Sequence, residues 1–269
     1  GLKLWRLHGF IQATIFIGGP LLAALISWPL RSSMGEMLWL GLMFLAILPC
    51  TISTSVVFTT QSGGNISAAL FNTSLANVAG IFIVPVVMVW LSNTEGMEMP
   101  LMPLIGKIVL LLFLPLLLGQ LSRFFVKPLR DWGQVNRKRF GSVNSSIVLF
   151  IVYCSFCGSF QSRFWEGVPL PSMLLTVGLT LLLLVLLRLL LFLMLRTAKV
   201  SYPETMAAFF CGAQKTLAAG VPMAQGIFAA SGFDLGLILL PLMCYAPLQF
   251  TLDGIIVGIL QSRPEAAQR

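Results

Sequence analysis

Charge is scarce in this chain. Only 10% of its 269 residues are Asp, Glu, Lys or Arg, 57% are apolar, and the mean hydropathy is +0.93. Soluble domains carry about 25% charged residues, so there is too little polar material here to cover the molecule in water. Histidine occurs once, at His8, which excludes a zinc centre built on imidazoles. No Ser-His-Asp set, phosphate-cradling loop or paired-carboxylate arrangement is present, and an enzyme is not expected. Five cysteines (Cys50, Cys154, Cys157, Cys211 and Cys244) all fall in apolar stretches. Cys154 and Cys157 have the spacing of a redox or metal pair, but no second pair or histidine accompanies them. All five are expected to be buried thiols packed as small hydrophobes. No metal centre or organic cofactor is expected, and sodium is the one ion that enters the argument below. No secretory leader is recognised, so the first apolar run is expected to be a membrane span.

What the chain has in abundance is long apolar runs. A hydrocarbon core of roughly 30 Å needs about 20 apolar residues per helix, and eight such runs can be read. They lie near His8–Leu30, Leu38–Ser62, Ile66–Leu91, Pro103–Phe125, Ser145–Gln161, Ser172–Leu195, Glu204–Ala230 and Leu235–Leu260. Continuous Leu-rich stretches such as Leu179–Leu195 exclude a transmembrane barrel, whose strands alternate. The expected fold is an all-α, multi-pass protein of eight spans, with the lipid bilayer as its main partner.

The formal charge of +8 resembles a nucleic-acid signal until the basic residues are sorted by loop. If the loop with Arg123, Lys127, Arg130, Arg137, Lys138 and Arg139 is cytoplasmic, alternation puts Lys3, Arg6, Arg196, Lys199, Arg263 and Arg269 on the same side. Only Arg31 and Arg163 fall outside, along with the acidic loop of Glu95 and Glu98. This is the positive-inside distribution. It predicts a plasma-membrane protein (the inner membrane in a bacterium) with both ends of the chain cytoplasmic and no nucleic-acid partner.

Two spans are interrupted in corresponding places. The second carries Pro49 at its centre, followed by Thr51, Ser53, Thr54, Ser55 and Thr59. The seventh carries Gly212, Gln214, Lys215, Thr216, Gly220 and Pro222 in its middle. Proline removes a backbone donor and glycine relaxes the helix, so both are expected to break at mid-membrane and to line a cavity there. Each broken span is the middle of a triplet, spans one to three (1–102) and six to eight (172–269), with spans four and five (103–171) between. Five spans separate the two starts, so the triplets run in opposite senses. This is the inverted-repeat plan of secondary transporters.

The stretches Trp5-RLHGFIQ, Leu48-PCTISTSVVFTTQSGGNISAALFN, Gly80-IFIVP, Leu118-GQLSR, Phe210-CGAQKTLAAGVPM and Pro241-LMCYAPLQ span nearly the whole chain. Through them it resembles the bile acid:sodium symporter superfamily, in its sodium/bile acid cotransporter 7-like branch. The resemblance implies a ten-helix fold, with a six-helix core holding two crossing broken helices and a four-helix panel to which 103–171 belongs. Eight spans are read here, so the family's first two helices are not among them.

The same resemblance implies ion ligands at Thr54, Ser55, Thr73, Gln12 and Gln214. The carboxylate that sodium-coupled members share between their two sites corresponds to Phe210. Lys215 stands where those members have an uncharged amide. Two sodium ions beside Lys215 would hold three cations without a transferred carboxylate, and each like-charge pair at about 4 Å costs roughly 4 kcal/mol. That is about three orders of magnitude in affinity, so coupling to a proton or to nothing is favoured over sodium. Lys215 sits too deep in its span for snorkelling to be the favoured reading. Its ammonium can replace a sodium charge, bind a carboxylate or carry a proton. Lys215, Thr216, Ser53 and Asn72 form the candidate substrate-binding set.

Arg188, on a Leu-rich stretch, has two readings, a snorkelling residue or a site residue, and Asp253 is a candidate counter-charge for it or for Lys215. Asn72, Ser74 and Asn77 read equally well as hydrogen-bonding glue between helices. The expected function is secondary transport of a small or amphipathic organic anion by alternating access. The rivals are a sodium-coupled bile-acid-type symporter and a non-transporting membrane regulator that binds a partner protein.

Overall fold

The computed structural model describes residues 4–94, 106, 110, 114–161, 168–197, 200–228 and 233–262. Among them the protein is almost entirely helical and has no strand. The helices are α1 (Trp5–Met34), α2 (Glu36–Ile47), α3 (Ile52–Gln61), α4 (Ile66–Thr94), α5 (Leu114–Phe125), α6 (Lys127–Val135), α7 (Arg137–Gln161), α8 (Leu170–Thr197), α9 (Tyr202–Ala213), α10 (Leu217–Phe228) and α11 (Leu235–Gln261).

Four of these, α1, α4, α8 and α11, are long and apolar enough to cross a membrane. The bent pair α2 and α3, which meet at 53°, makes a fifth if counted as one span. Of the expected span Pro103–Phe125, residues 106, 110 and 114–125 are described, and the others lie outside the described residues. The loop of Glu95 and Glu98 and the topology markers Lys3, Arg163, Lys199, Arg263 and Arg269 also lie outside them.

Local chemistry accounts for the irregularities. α1 loosens into a wider turn over Thr14–Gly18, just before Pro20, which has no N–H for the turn behind it. Gly35, at φ +85°, makes the corner into α2. Gly63, at φ +69°, makes the one into α4, where the backbone N–H of Asn65 donates to the Pro203 carbonyl at 2.8 Å. Asp234 caps α11 by accepting from the Leu237 N–H at 2.9 Å.

α2 is apolar all round, and every residue from Leu38 to Ile47 is buried, as an inner helix requires. It packs along α11 and against α1 and α4. The approach to α11 depends on Gly41, where an added Cβ would stand 2.6 Å from the Ile238 carbonyl oxygen. Gly41→Ala is therefore expected to force these helices apart and cost about 1–3 kcal/mol, read as a lower melting temperature. Gly254→Ala, with nothing within 4 Å of its Cβ, should leave melting unchanged or slightly raised. Equal shifts in the two variants would refute the close-approach argument.

The exterior is as apolar as the interior. On α8, Leu183, Leu187 and Leu191 are buried, while Val185, Leu189 and Phe192 on the opposite side are exposed. Hydrocarbon surroundings accept such a surface and water does not. The cysteines divide along the same line. Cys50 and Cys211 are buried as expected, Cys157 and Cys244 are partly so, and Cys154 is exposed on α7. The expectation of five buried thiols fails because an apolar span offers an outer face as well as an inner one.

Candidate functional site

The two helix interruptions meet. α2 ends at Ile47 and α3 begins at Ile52, while α9 ends at Ala213 and α10 begins at Leu217. The Thr216 N–H donates to the Pro49 carbonyl at 2.9 Å, tying one break to the other.

Each break leaves backbone groups that must find partners. On the first, Lys215 Nζ donates to the carbonyls of Ala46 at 2.5 Å and Leu48 at 2.9 Å. The Cys50 carbonyl accepts from Asn77 Nδ2 at 2.8 Å. On the second, Tyr245 donates its hydroxyl to the Ala213 carbonyl at 2.7 Å. Gln249 clasps the Lys215 backbone, its Oε1 accepting from the N–H at 2.8 Å and its Nε2 donating to the carbonyl at 2.9 Å. The Thr216 hydroxyl accepts from the Ala219 N–H at 3.3 Å and so caps α10.

Lys215 is 1% exposed and does not snorkel. Its ammonium sits against the last carbonyls of α2, the partially negative end of that half-helix, where a cation is favoured. Gly19 on α1 closes another side, since a Cβ there would lie 2.9 Å from the Ala46 oxygen and 3.5 Å from Nζ.

Three of the expected ion ligands come together. Gln214 Oε1 accepts from Thr54 Oγ1 at 2.8 Å and Ser55 Oγ at 2.8 Å, with Thr51 Oγ1 joining at 3.2 Å. The Thr51 and Thr54 hydroxyls are also in contact. The amide's other end donates to Asp253 Oδ2 at 2.7 Å. Asp253 in turn pairs with Arg188, Nη1 lying 2.5 Å from Oδ1. Arg188 is 4% exposed, so the snorkelling alternative is discarded, and the choice left open for Asp253 falls on Arg188. A guanidinium that deep needs a counter-charge, whereas Lys215 has two carbonyls and a helix end.

The other expected residues stand elsewhere. Thr73 is buried but donates to its own helix, to Ala69 O at 2.9 Å. Gln12 Nε2 donates to the Asn72 carbonyl at 3.1 Å and to its Oδ1 at 3.3 Å, and Asn72 Nδ2 meets His8 Nδ1 at 2.9 Å, which joins α1 to α4. Ser53 and Ser74 are exposed, while Asn77 bridges helices as glue does. Phe210, at the position of the missing carboxylate, is fully buried and stacks on Phe58 at 5.8 Å. Tyr245 and Gln249 escaped the sequence reading. Their only signal is one phenol and one amide inside an apolar, proline-bearing run.

Among known proteins, the model of the SBF-like CPA transporter family matches residues 1–262. The Escherichia coli (strain K12) protein named "Putative symporter YfeH" is 31% identical over 264 residues, 98% of this chain and 78% of that protein. The sodium/bile acid cotransporter 7 of Rattus norvegicus is 30% identical over 266 residues, 96% of this chain and 75% of that protein.

Proposed function

The chain belongs to the SBF-like CPA transporter family, and on that premise we propose that it carries a small or amphipathic organic anion across the membrane by alternating access, without requiring sodium. It is a multi-pass membrane transporter of the bile acid symporter type and not an enzyme. In the proposed arrangement eight spans form two inverted triplets around the breaks, both chain ends face the cytoplasm, and the plasma membrane is the setting.

The observation that carries the sodium-free reading is the Lys215 ammonium against the Ala46 and Leu48 carbonyls. In this proposal it is a tethered cation doing what a bound sodium does elsewhere. It screens the carbonyl end of α2 while the N-terminal ends of α3 and α10 offer partial positive charge to an anion. Thr216 and Ser53 stay in the proposed substrate set together with Lys215 and Asn72. Gln12 and Thr73, with Thr54, Ser55 and Gln214, are the ligands that an ion would use.

A sodium-coupled symport has one observation in its favour, the oxygens of Thr51, Thr54, Ser55 and Gln214 gathered one amide away from Asp253. Against it, that carboxylate is already neutralised by Arg188. Uptake decides between them. Proteoliposomes in sodium-free potassium buffer should accumulate organic anions from a panel of keto acids, cholate and sulfated steroids at the rate seen with sodium. A steep sodium requirement would overturn the proposal in favour of the sodium symporter.

A further inference from the structure

Among the described residues Arg188 is coordinated on one edge only. Nη1 makes the 2.5 Å ion pair with Asp253 without hydrogen-bond alignment, and Nε and Nη2 have no hydrogen-bond partner among them. Its one other contact of note is the face of Phe209, 5.6 Å from the guanidinium carbon to the ring centre. A guanidinium presents a planar fork that suits two parallel bonds to a carboxylate, and Asp253 leaves that fork unfilled. Asp253 Oδ1 likewise accepts no hydrogen bond from the described residues, while Oδ2 takes the Gln214 amide.

The charged surroundings are simple. On α11 itself the other titratable groups are Cys244, partly buried, and Tyr245, its hydroxyl given to the Ala213 carbonyl. On α9, which packs on α8, Tyr202 and Glu204 are half-buried in the first turn and Cys211 turns its thiol to the Ala69 carbonyl. Lys215, in the break before α10, turns its ammonium to the carbonyls of α2. α3 and α10 carry no titratable side chain, and Glu36 lies at the far end of α2. On α7, Tyr153 and Cys154 are exposed, and on α8 Arg196 is exposed two turns further on.

We propose that Arg188 is a binding site for the carboxylate, or an equivalent singly charged oxyanion, of the substrate, and that its occupancy is coupled to a proton on Asp253. This rests on the transporter reading above and names its anchor and coupling ion. A buried guanidinium needs one negative charge at all times. Asp253 supplies it when the site is empty. When an anion takes the Nε and Nη2 edge, the Asp253 carboxylate takes up a proton from the solvent on the loading side, and anion and proton are released together on the other side. The buried net charge never changes, so the cotransport is one proton per anion and electroneutral. Neutral Asp253 also weakens its bond to Gln214, which holds Thr51, Thr54 and Ser55, and so the crossing senses the loaded state. With one proton bound per anion, affinity for the anion falls about tenfold per unit rise in pH above the range where Asp253 holds its proton.

The test uses the purified chain in sodium-free buffer, titrated with potassium acetate, benzoate and cholate against potassium chloride at pH 5.5, 6.5 and 7.5, with binding read from the melting temperature. Wild type should be raised by a carboxylate with the tenfold-per-unit dependence, and chloride should do nothing. Asp253→Asn, which strands the guanidinium, should melt lower and be raised by carboxylate equally at all three pH values. Arg188→Gln with Asp253→Asn should fold and not respond. A pH-independent wild type, an Asp253→Asn protein unmoved by carboxylate, or a double variant that responds like wild type would each overturn the proposal. Uptake separates this outcome from failure of the transporter reading. Binding as described with no uptake of any anion removes transport but keeps the site, and uptake retained by the double variant removes the site but keeps transport.

Discussion

Lys215→Asn is expected to lower the melting temperature of the purified protein and, in the same variant, to turn sodium from a bystander into a stabilising ligand. The ammonium is the donor to the Ala46 and Leu48 carbonyls, both at the end of a fully buried half-helix. Leaving a buried acceptor without its donor costs about 1–3 kcal/mol, so losing both should cost roughly 2–6 kcal/mol. The shorter side chain vacates the place between α1 and α2, and two carbonyls, the new amide and the helix end then favour a small cation. Sodium present at about 100 times its dissociation constant would restore about 2.7 kcal/mol. Adding Phe210→Glu supplies a carboxylate where the aromatic ring now stacks on Phe58, and should strengthen the sodium response further. The measurement is melting in sodium chloride against choline chloride. A wild type stabilised by sodium as much as the variant would show that Lys215 does not stand in for the ion.

Breaking the Arg188–Asp253 pair should have the other large effect. Asp253 is 0% exposed and Arg188 4%, so either partner alone is a buried, uncompensated charge. Removing one side of such a pair costs about 3–5 kcal/mol, while removing both together is often close to neutral. Arg188→Gln and Asp253→Asn are each expected to fall in that range, and the double variant to lie near wild type. A double-mutant cycle on denaturation free energies would then give a coupling of about 3 kcal/mol or more. Single effects that simply add would mean that the two charges do not compensate each other in the folded protein.

Several features of this protein are written in its sequence. A chain with 10% charged residues and long apolar runs has to be a membrane protein, because water cannot solvate it. The breaks at Leu48–Thr51 and Gln214–Thr216 are legible because Pro49 carries no N–H and because polar side chains in an apolar run are tolerated only where they find partners. The gathering of Thr54, Ser55 and Gln214 follows from the motifs that carry them. What the residues cannot announce is direction. α8 is leucine on its buried face and leucine on its exposed one, so nothing in its composition tells which way Arg188 points, and only the rotation of the helix about its axis brings the guanidinium to Asp253. The same freedom set Ser53 on the exposed side of its helix and turned the Thr73 hydroxyl to its own backbone, placements that no residue pattern announces. Gln249 and Tyr245 acquire their roles only because α11 passes beside the second break and offers its stray backbone groups a partner. In water, burial sorts side chains by polarity and so marks the inner face of a helix. In hydrocarbon both faces are apolar, and only packing decides which polar groups meet.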